Sequence, residues 1–126
     1  MGVLQRNCPT RDVIDRLADT WTVLVVLALA DGPCRFGALR RRVQGISQRM
    51  LTVTLRRLER DGLVVRRAYD TSPPAVEYAL TTLGASLLVA LGAVRDWSEG
   101  HWEDIADARA AFDRRPPSPG PASPGA

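Results

Sequence analysis

The spacing of apolar residues changes at Gly62, and this change restricts the folds that the chain can adopt. Across residues 47–61, leucines recur at positions i, i+4 and i+7, which is the spacing of one face of an α-helix. The run 63–69 instead contains residues that favour β-strands, such as valine and tyrosine, and a similar run at 75–80 follows a proline-containing turn. Two such runs around a short turn predict a β-hairpin. The chain therefore places a helix directly before a two-stranded hairpin.

Three further helices are predicted before residue 47. Thr10 is a candidate cap for a first helix over residues 11–18. A second helix over residues 20–30 is almost entirely apolar at its centre, so we expect it to be the buried one. The Asp-Gly-Pro sequence at 31–33 ends it, because glycine favours the left-handed C-terminal position and proline cannot continue a helix. A third helix is predicted over residues 36–42.

A long helix and a tail complete the chain. Thr81 or Thr82 should cap this helix, which carries leucine, valine and tryptophan at helical spacing and extends over residues 81–112. Residues 114–126 contain no periodic apolar residue and are rich in proline and glycine, which is typical of a disordered tail. We therefore expect one folded domain over residues 1–113.

The basic residues are concentrated in the middle of the chain. Residues 35–67 carry ten arginines against two acids, whereas residues 68–113 carry two arginines against eight acids. A basic block of this kind attracts nucleic acid, because phosphate binding releases counterions. The alternative is a solvated arginine face without a partner. All seventeen basic residues are arginine, which GC-rich coding would also produce, so the placement of the charge is more informative than its total.

A short helix, a glycine turn, a second helix and a hairpin form the arrangement of a winged helix-turn-helix, a mainly α-helical fold with a small β-hairpin. The leucine face of the helix at 47–61 should be buried, which leaves the opposite face for the major groove of double-stranded DNA. The alternative is an ordinary amphipathic helix with a basic exposed face. The residues expected to contact DNA are Ser47, Gln48, Arg49, Thr52, Val53 and Arg56. Among them, Arg49, Thr52 and Arg56 should read base edges, because arginine forks to guanine and a threonine methyl meets a thymine methyl.

Contacts to the DNA phosphates are expected from Arg40 and Arg41, at the end of the preceding helix, and from Arg66 on the first hairpin strand. Ser47 joins them because a helix N-terminus is a natural phosphate site. Arginines at a helix C-terminus also favour the helix dipole, so a purely stabilising role for Arg40 and Arg41 is the alternative.

Short motifs follow one another along residues 7–102 in a characteristic order. They are Asn7-Cys8-Pro9, Trp21-Thr22, Asp31-Gly32-Pro33, Arg35-Phe36, Gly45-Ile46-Ser47, Leu51-Thr52, Leu55-Arg56-Arg57-Leu58-Glu59, Gly62-Leu63-Val64 and Val76-Glu77-Tyr78. In this order they resemble the HxlR family, a branch of the bacterial winged-helix regulators. The resemblance implies a transcriptional repressor that binds a palindromic operator as a homodimer. It also implies a DNA-reading core at 20–80 and a dimer interface formed by helices 11–18 and 81–112.

The resemblance also gives Cys8 a role. In this family the cysteine before the N-terminal proline is often a redox or electrophile sensor, and Arg6 and Arg11 could lower the pKa of its thiol. The alternative is an inert buried thiol beside the dimer interface. The role of Cys34 is left open. Ala75 stands where the family usually has arginine or lysine, which removes an expected contact at the hairpin tip.

An enzyme and a metal protein are not expected. His101 is the only histidine, and no nucleophile and base are paired in the sequence. Cys8, Cys34 and His101 lack the ligand spacing of a zinc site, and no cofactor is implied. The apolar runs are short and no leader opens the chain, so a cytoplasmic protein without membrane association is expected.

Two alternatives to a redox-sensing regulator remain. One is a regulator gated by a small molecule, for which Trp21, Trp97 and Trp102 could line an aromatic pocket, although tryptophans are more often core or interface residues. The other is a winged-helix module that binds protein. Such a module would bind duplex DNA weakly, and its affinity would not depend on salt concentration. The arginines opposite the leucine face argue against this alternative.

Overall fold

The computed structural model describes residue 4, residues 8–17 and residues 19–117. In chain order its elements are α1 (Pro9–Leu17), α2 (Thr20–Ala28), β1 (Cys34–Arg35), α3 (Phe36–Arg42), α4 (Gln48–Arg60), β2 (Val64–Tyr69), β3 (Ala75–Leu80) and α5 (Thr82–Arg114). The helices and the β2–β3 hairpin, which we call the wing, occur in the predicted order. The predicted fold, a mainly α-helical winged helix-turn-helix, is confirmed.

α1 begins earlier than predicted, and Cys8 rather than Thr10 occupies its N-terminal cap position. Pro9 is the first helical residue, and the backbone N–H of Asp12 donates to the carbonyl oxygen of Cys8 at 3.1 Å. Proline is favoured at this position because the first N–H of a helix has no partner within the helix. The predicted cap was therefore wrong. Ala18, the last residue of the predicted helix, lies outside the described residues.

α2 has the predicted start but ends two residues early. The Asp19 carboxylate caps it, accepting hydrogen bonds from the N–H of Trp21 at 3.1 Å and from the hydroxyl of Thr22 at 3.2 Å. At the other end the chain tightens, because the N–H of Ala30 donates to the carbonyl oxygen of Leu27, three residues back, at 3.1 Å.

α4 is bounded by the signals that the sequence contains at both ends. The Oγ of Ser47 accepts a hydrogen bond from the N–H of Met50 at 3.0 Å, which caps the start. At the end, Gly62 adopts a φ of +77°, and the N–H of Leu63 turns back to the carbonyl oxygen of Leu58 at 2.9 Å. This C-terminal motif requires the left-handed conformation that glycine adopts without strain.

The leucine face of α4 is the centre of the core, as predicted. Leu51, Leu55 and Leu58 are each at most 1% exposed and share one apolar cluster with Val25 and Val26 of α2. Burial of one such side chain stabilises the fold by about 1.5–3 kcal/mol. α4 is therefore held in one rotation about its axis.

The sheet has a third strand that the sequence did not predict. β1 pairs antiparallel with β3, with Cys34 opposite Tyr78 and Arg35 opposite Glu77, and the strand order is β1-β3-β2. A two-residue strand has no detectable periodicity, so pairing alone reveals it. In the wing, β2 and β3 pair from Val64 opposite Leu80 to Tyr69 opposite Ala75.

Thr81 caps α5. Its Oγ accepts a hydrogen bond from the N–H of Gly84 at 3.1 Å and donates to the carbonyl oxygen of Gly62 at 2.6 Å. α5 extends through Arg114, which had been assigned to the tail. Residues 118–126 of that tail lie outside the described residues.

The chain divides after Leu91 into two compact units, and the second contains the distal part of α5. There the ring of Trp97 stacks on His101 with centroids 4.7 Å apart, and the guanidinium of Arg109 lies 5.3 Å from the centre of the Trp102 ring. Among the described helices, none combines the length and the apolar character that a membrane span requires.

Gly84 lies where α5 meets the chain between α4 and the wing. A Cβ atom at this position would overlap the carbonyl oxygen of Leu63 and lie 3.1 Å from Cδ2 of Leu80. The contact with Leu63 is with backbone, which cannot rotate away. Close packing at this point therefore depends on the absence of a side chain.

We expect Gly84→Ala to lower the free energy of unfolding by about 1–3 kcal/mol, because the added methyl group must displace the Leu63 backbone. Helix propensity alone predicts the opposite, because alanine in place of glycine within a helix raises the free energy of unfolding by about 1 kcal/mol. Gly100→Ala is the matched control, since no atom outside its own helix backbone lies within 4 Å of the new Cβ, and it should be stabilising. Urea denaturation followed by circular dichroism measures both variants. A stabilised Gly84→Ala protein would contradict the close contact.

Candidate nucleic-acid interface

The exposed side of α4 carries most of the residues predicted to contact DNA. Gln48, Arg49 and Arg56 are exposed, whereas Thr52 and Val53 are half-buried at the edge of the same face. This face is opposite the buried leucines, because α4 repeats every 3.6 residues. Burial of the leucines therefore presents these side chains together on one surface.

Part of this surface is concave. Gln48, Arg49, Thr52 and Val53 line a shallow depression of about 390 Å³. The hydroxyl of Thr52 donates to the carbonyl oxygen of Gln48 at 2.9 Å, so its proton is already engaged. The Thr52 methyl and the Val53 side chain then provide an apolar surface between two polar side chains. Such a surface can accept the methyl group of thymine.

The predicted phosphate-binding residues lie on three different elements. Arg40 and Arg41 are exposed in the last turn of α3, Ser47 is exposed at the start of α4, and Arg66 is exposed on β2. The Ser47 Oγ accepts the Met50 N–H through one lone pair, so its O–H can still donate to an anion. α3, α4 and the wing thus each present at least one donor to solvent.

Two arginines of the basic block have structural roles that the sequence did not indicate. Arg42 donates through Nη1 to the carbonyl oxygen of Ala28 at 3.0 Å, which ties the end of α3 to the end of α2. Arg57 forms an ion pair with Asp19, the cap of α2, at 3.6 Å. Both partners are distant in sequence, so no local pattern distinguishes these arginines from those that face solvent.

The register of the wing places Arg66 and its neighbour Arg67 on opposite faces of the sheet. Arg67 is opposite Glu77, and Glu77 is also opposite Arg35 across the other side of β3. One acidic residue therefore lies between two arginines on one face of the sheet, which is a favourable cross-strand arrangement. Arg66 is opposite Tyr78 on the other face.

Cys8 lies at the N-terminus of α1, and its thiol is 3% exposed. The pKa of the thiol is lowered, chiefly because the backbone N–H of Arg11 donates to the sulfur; the backbone and side chain of Thr10 contribute as well. Burial raises the pKa but does not outweigh these donors. Donors at a helix N-terminus stabilise a thiolate in this way.

The cause of the lowered pKa differs from the one expected from the sequence. The guanidinium of Arg11 donates to the carbonyl oxygen of Leu4 at 2.8 Å, so it is the Arg11 backbone that acts on Cys8. Arg6 lies outside the described residues. Cys34 is buried in β1, and neither Cys8 nor Cys34 is in a disulfide.

The three tryptophans, and likewise the candidate metal ligands, are divided between the two compact units. Trp21 packs against the core, whereas Trp97 and Trp102 lie in the distal part of α5 and are more than half exposed. An apolar pocket beside α1 includes none of the three in its lining. Within the part of the chain that the structure describes, no group of three or more His, Cys, Asp or Glu residues is positioned to hold a metal ion.

Comparison with known proteins supports the helix-turn-helix arrangement that α3, α4 and the wing form. The model of the HxlR-like helix-turn-helix family matches residues 16–106. The chain belongs to this family. The chain is 41% identical over 108 residues to the HTH-type transcriptional regulator YtfH of Escherichia coli, with 86% of each chain covered. This HxlR-like protein is therefore a helix-turn-helix transcriptional regulator, and the resemblance inferred from its motifs is confirmed.

Solved structures give the same result for the fold. The transcriptional regulator YtfH from Salmonella typhimurium matches with a TM-score of 0.77 and 38% identity, covering 86% of this chain and 97% of the other. The redox regulator HypR in its reduced form matches with a TM-score of 0.73 and 35% identity, covering 79% and 99%. The HxlR-like chain thus shares its fold with a regulator described as redox-responsive.

We expect Cys8 to be alkylated by iodoacetamide at pH values where an ordinary cysteine is still protonated. Because the folded pKa is lowered, the alkylation rate should fall only as the pH decreases through that lowered value. Mass spectrometry of the peptide that contains Cys8, at a series of pH values, measures the profile, and free N-acetylcysteine in the same reaction is the reference. Arg11→Ala retains the backbone N–H, so it should leave the profile unchanged. If the alkylation profile of Arg11→Ala moved to higher pH, the guanidinium rather than the backbone N–H would be the cause of the lowered Cys8 pKa.

Proposed function

We propose that this HxlR-like protein is a homodimeric repressor that binds a palindromic operator through two α4 helices and is released by oxidation or alkylation of Cys8. The division of α4 into a buried leucine face and an exposed face with arginine, glutamine and threonine is the observation that carries the proposal. Membership of a family of helix-turn-helix transcriptional regulators supports DNA as the partner of that face.

The proposal assigns a role to most of the residues on this face of α4 and on the elements beside it. Arg49, Thr52 and Arg56 read base edges in the major groove, with the depression at Thr52 and Val53 against a thymine methyl. The phosphates are bound by Arg40, Arg41, Ser47 and Arg66, which lie on three elements around α4. Contacts from three elements fix the orientation of α4 in the groove, because phosphate contacts position a protein without reading sequence.

The dimer interface is assigned to α1 and α5, with residues 20–80 as the DNA-reading core. Apolar side chains on both helices are exposed to solvent, among them Val13 and Ile14 on α1 and Leu83 and Val89 on α5. Exposed apolar groups that lie close together mark surfaces that associate. A two-fold axis would place the two α4 helices in successive major grooves, about 34 Å apart.

The proposed switch acts through the start of α1. Cys8 is the residue before the first helical turn, and its thiolate accepts N–H donors of that turn. Alkylation or a mixed disulfide removes the negative charge and adds bulk at a buried position. If α1 contributes to the dimer interface, its displacement changes the distance between the two α4 helices. The redox regulator HypR, which has the same fold, supports this assignment.

The roles of the arginines are tested by fluorescence anisotropy on the DNA upstream of the protein's own gene and on random DNA. Arg49→Ala should lose about 1–3 kcal/mol of binding free energy for the operator and little for random DNA, because it removes a base contact. Arg41→Ala should weaken both equally and reduce the salt slope by about 1. Arg95→Ala on α5 is the control and should change neither. Identical losses for Arg49→Ala and Arg41→Ala on both DNAs would contradict the assignment, and an absence of all DNA binding would favour the protein-binding alternative.

The role of Cys8 is tested by the same assay before and after treatment with diamide and glutathione, where diamide is the two-electron oxidant and glutathione supplies the second sulfur of the mixed disulfide. Wild-type protein should lose operator affinity on oxidation and recover it after reduction, since a disulfide is reversible. Cys8→Ser should bind the operator with or without diamide, whereas Cys34→Ser should respond like the wild type. A full response in Cys8→Ser would remove the sensor role from Cys8 and leave a regulator with a different trigger.

A further inference from the structure

The depression on α4 is formed by two successive turns of the helix. Gln48 and Arg49 lie one turn before Thr52 and Val53, and all four side chains line it. Residues three and four apart are neighbours on a helix surface, so each polar side chain borders an apolar one. Neither Gln48 nor Arg49 has a side-chain hydrogen bond or ion pair to another described residue. Both side chains therefore keep their hydrogen-bonding groups for a partner.

Thr52 carries a methyl group and an oxygen atom side by side on one Cβ. Its hydroxyl donates to the carbonyl oxygen of Gln48 at 2.9 Å, so the Oγ proton is directed back along the helix. A hydroxyl has a single proton, and its two lone pairs only accept. Towards a molecule outside the helix, Thr52 therefore presents an apolar methyl group beside a hydrogen-bond acceptor.

Pyrimidine bases differ in the major groove at two adjacent ring positions. Thymine carries a methyl group on C5 beside the O4 acceptor, whereas cytosine has the N4 amino donor and no methyl group. 5-Methylcytosine combines the C5 methyl group with the N4 donor. Of these three bases, it is the one that gives the Thr52 Oγ a donor and the apolar surface of Thr52 and Val53 a methyl group.

We infer that the depression on α4 reads 5-methylcytosine, so that methylation of a cytosine in the operator strengthens binding. This inference rests on the proposed insertion of α4 into the major groove and specifies the base that is read there. The methyl group of thymine fits the same surface, but its O4 faces the Oγ lone pairs unless the Thr52 hydroxyl leaves Gln48. That exchange costs one hydrogen bond, or about fivefold in affinity. Unmethylated cytosine keeps the hydrogen bond but lacks the methyl group, whose burial is worth about fourfold.

Arg49 favours the same base pair for an independent reason. It is exposed one turn before Thr52, and its guanidinium only donates. The guanine opposite a cytosine presents two acceptors, O6 and N7, to which arginine can fork. The adenine opposite a thymine replaces one of them with the N6 donor, which an arginine cannot use. Gln48 both donates and accepts, so it is compatible with either pair.

Duplexes that differ by single methyl groups test the inference. The full chain first selects an operator from a randomised duplex library that is copied with 5-methyl-dCTP in place of dCTP. Each cytosine position of the selected duplex is then made with cytosine, 5-methylcytosine or a thymine–adenine pair, and fluorescence anisotropy measures the affinity. At one position in each half-site, we expect 5-methylcytosine to bind about fourfold more tightly than cytosine and at least about fivefold more tightly than thymine.

Two substitutions of Thr52 separate its methyl group from its oxygen. Thr52→Ser removes the methyl group, so the advantage of 5-methylcytosine over cytosine should fall below about twofold. Thr52→Val removes the acceptor, so the advantage over thymine should fall about fivefold while the advantage over cytosine remains. Ser98→Ala is the matched control, because the Ser98 hydroxyl donates to the carbonyl oxygen of Val94, four residues back on α5, at 2.9 Å. It should change neither ratio. Each ratio compares two duplexes on the same protein, so a general loss of stability cancels.

The outcomes separate this inference from the proposed function. If a selected operator bound with equal affinity whether or not its cytosines were methylated, the inference would be overturned and the proposed function would stand. Tighter binding of thymine than of 5-methylcytosine at every position would also overturn it, since the Thr52 hydroxyl would then donate to DNA. So would a methyl preference that both Thr52 variants retain to the same extent as Ser98→Ala. If the library yielded no enriched sequence, the inference and the proposed function would fail together.

Discussion

Burial of the leucine face of α4 against α2 is the interaction on which the other features of the structure depend. Leu51, Leu55 and Leu58 are almost fully buried, so they fix the rotation of α4 as well as its position. In a helix with 3.6 residues per turn, a fixed rotation determines which side chains face solvent. The exposed surface around Thr52 and its depression is thus a consequence of core packing, and a helix free to rotate would have no defined reading face.

A compact junction links the end of α4 to the wing and to α5. Gly62 ends α4, its carbonyl oxygen accepts the Thr81 hydroxyl, and the Thr81 N–H donates to the Leu63 carbonyl oxygen at 3.1 Å. Gly84 packs against the same Leu63 carbonyl with no room for a side chain. Leu63 also lines the pocket beside α1. The N-terminal end of α5 is therefore joined to the end of α4 through backbone contacts.

The basic block combines two functions that its composition cannot separate. Arg42 and Arg57 hold α2, α3 and α4 together through a carbonyl oxygen and a carboxylate. The arginines on the outer faces of α3, α4 and β2 remain exposed. A count of charges therefore overestimates the number of groups available to a phosphate backbone. Only the fold shows which guanidinium groups are already engaged.

The sequence by itself determined the elements whose signals are local. Helix periodicity, the Ser47 cap, the stop at Gly62 and the alternation of the wing act over a few residues, so α3, α4, β2 and β3 were predictable within one or two positions. Tertiary structure decided what depends on distant partners. β1 exists because Cys34 and Arg35 pair with a strand over forty residues later, as the register shows. The pocket needs four segments to meet, and the Cys8 thiol is acidified by a backbone N–H that only a formed helix can aim at sulfur. Such contacts leave no trace in local sequence, because they are set by packing.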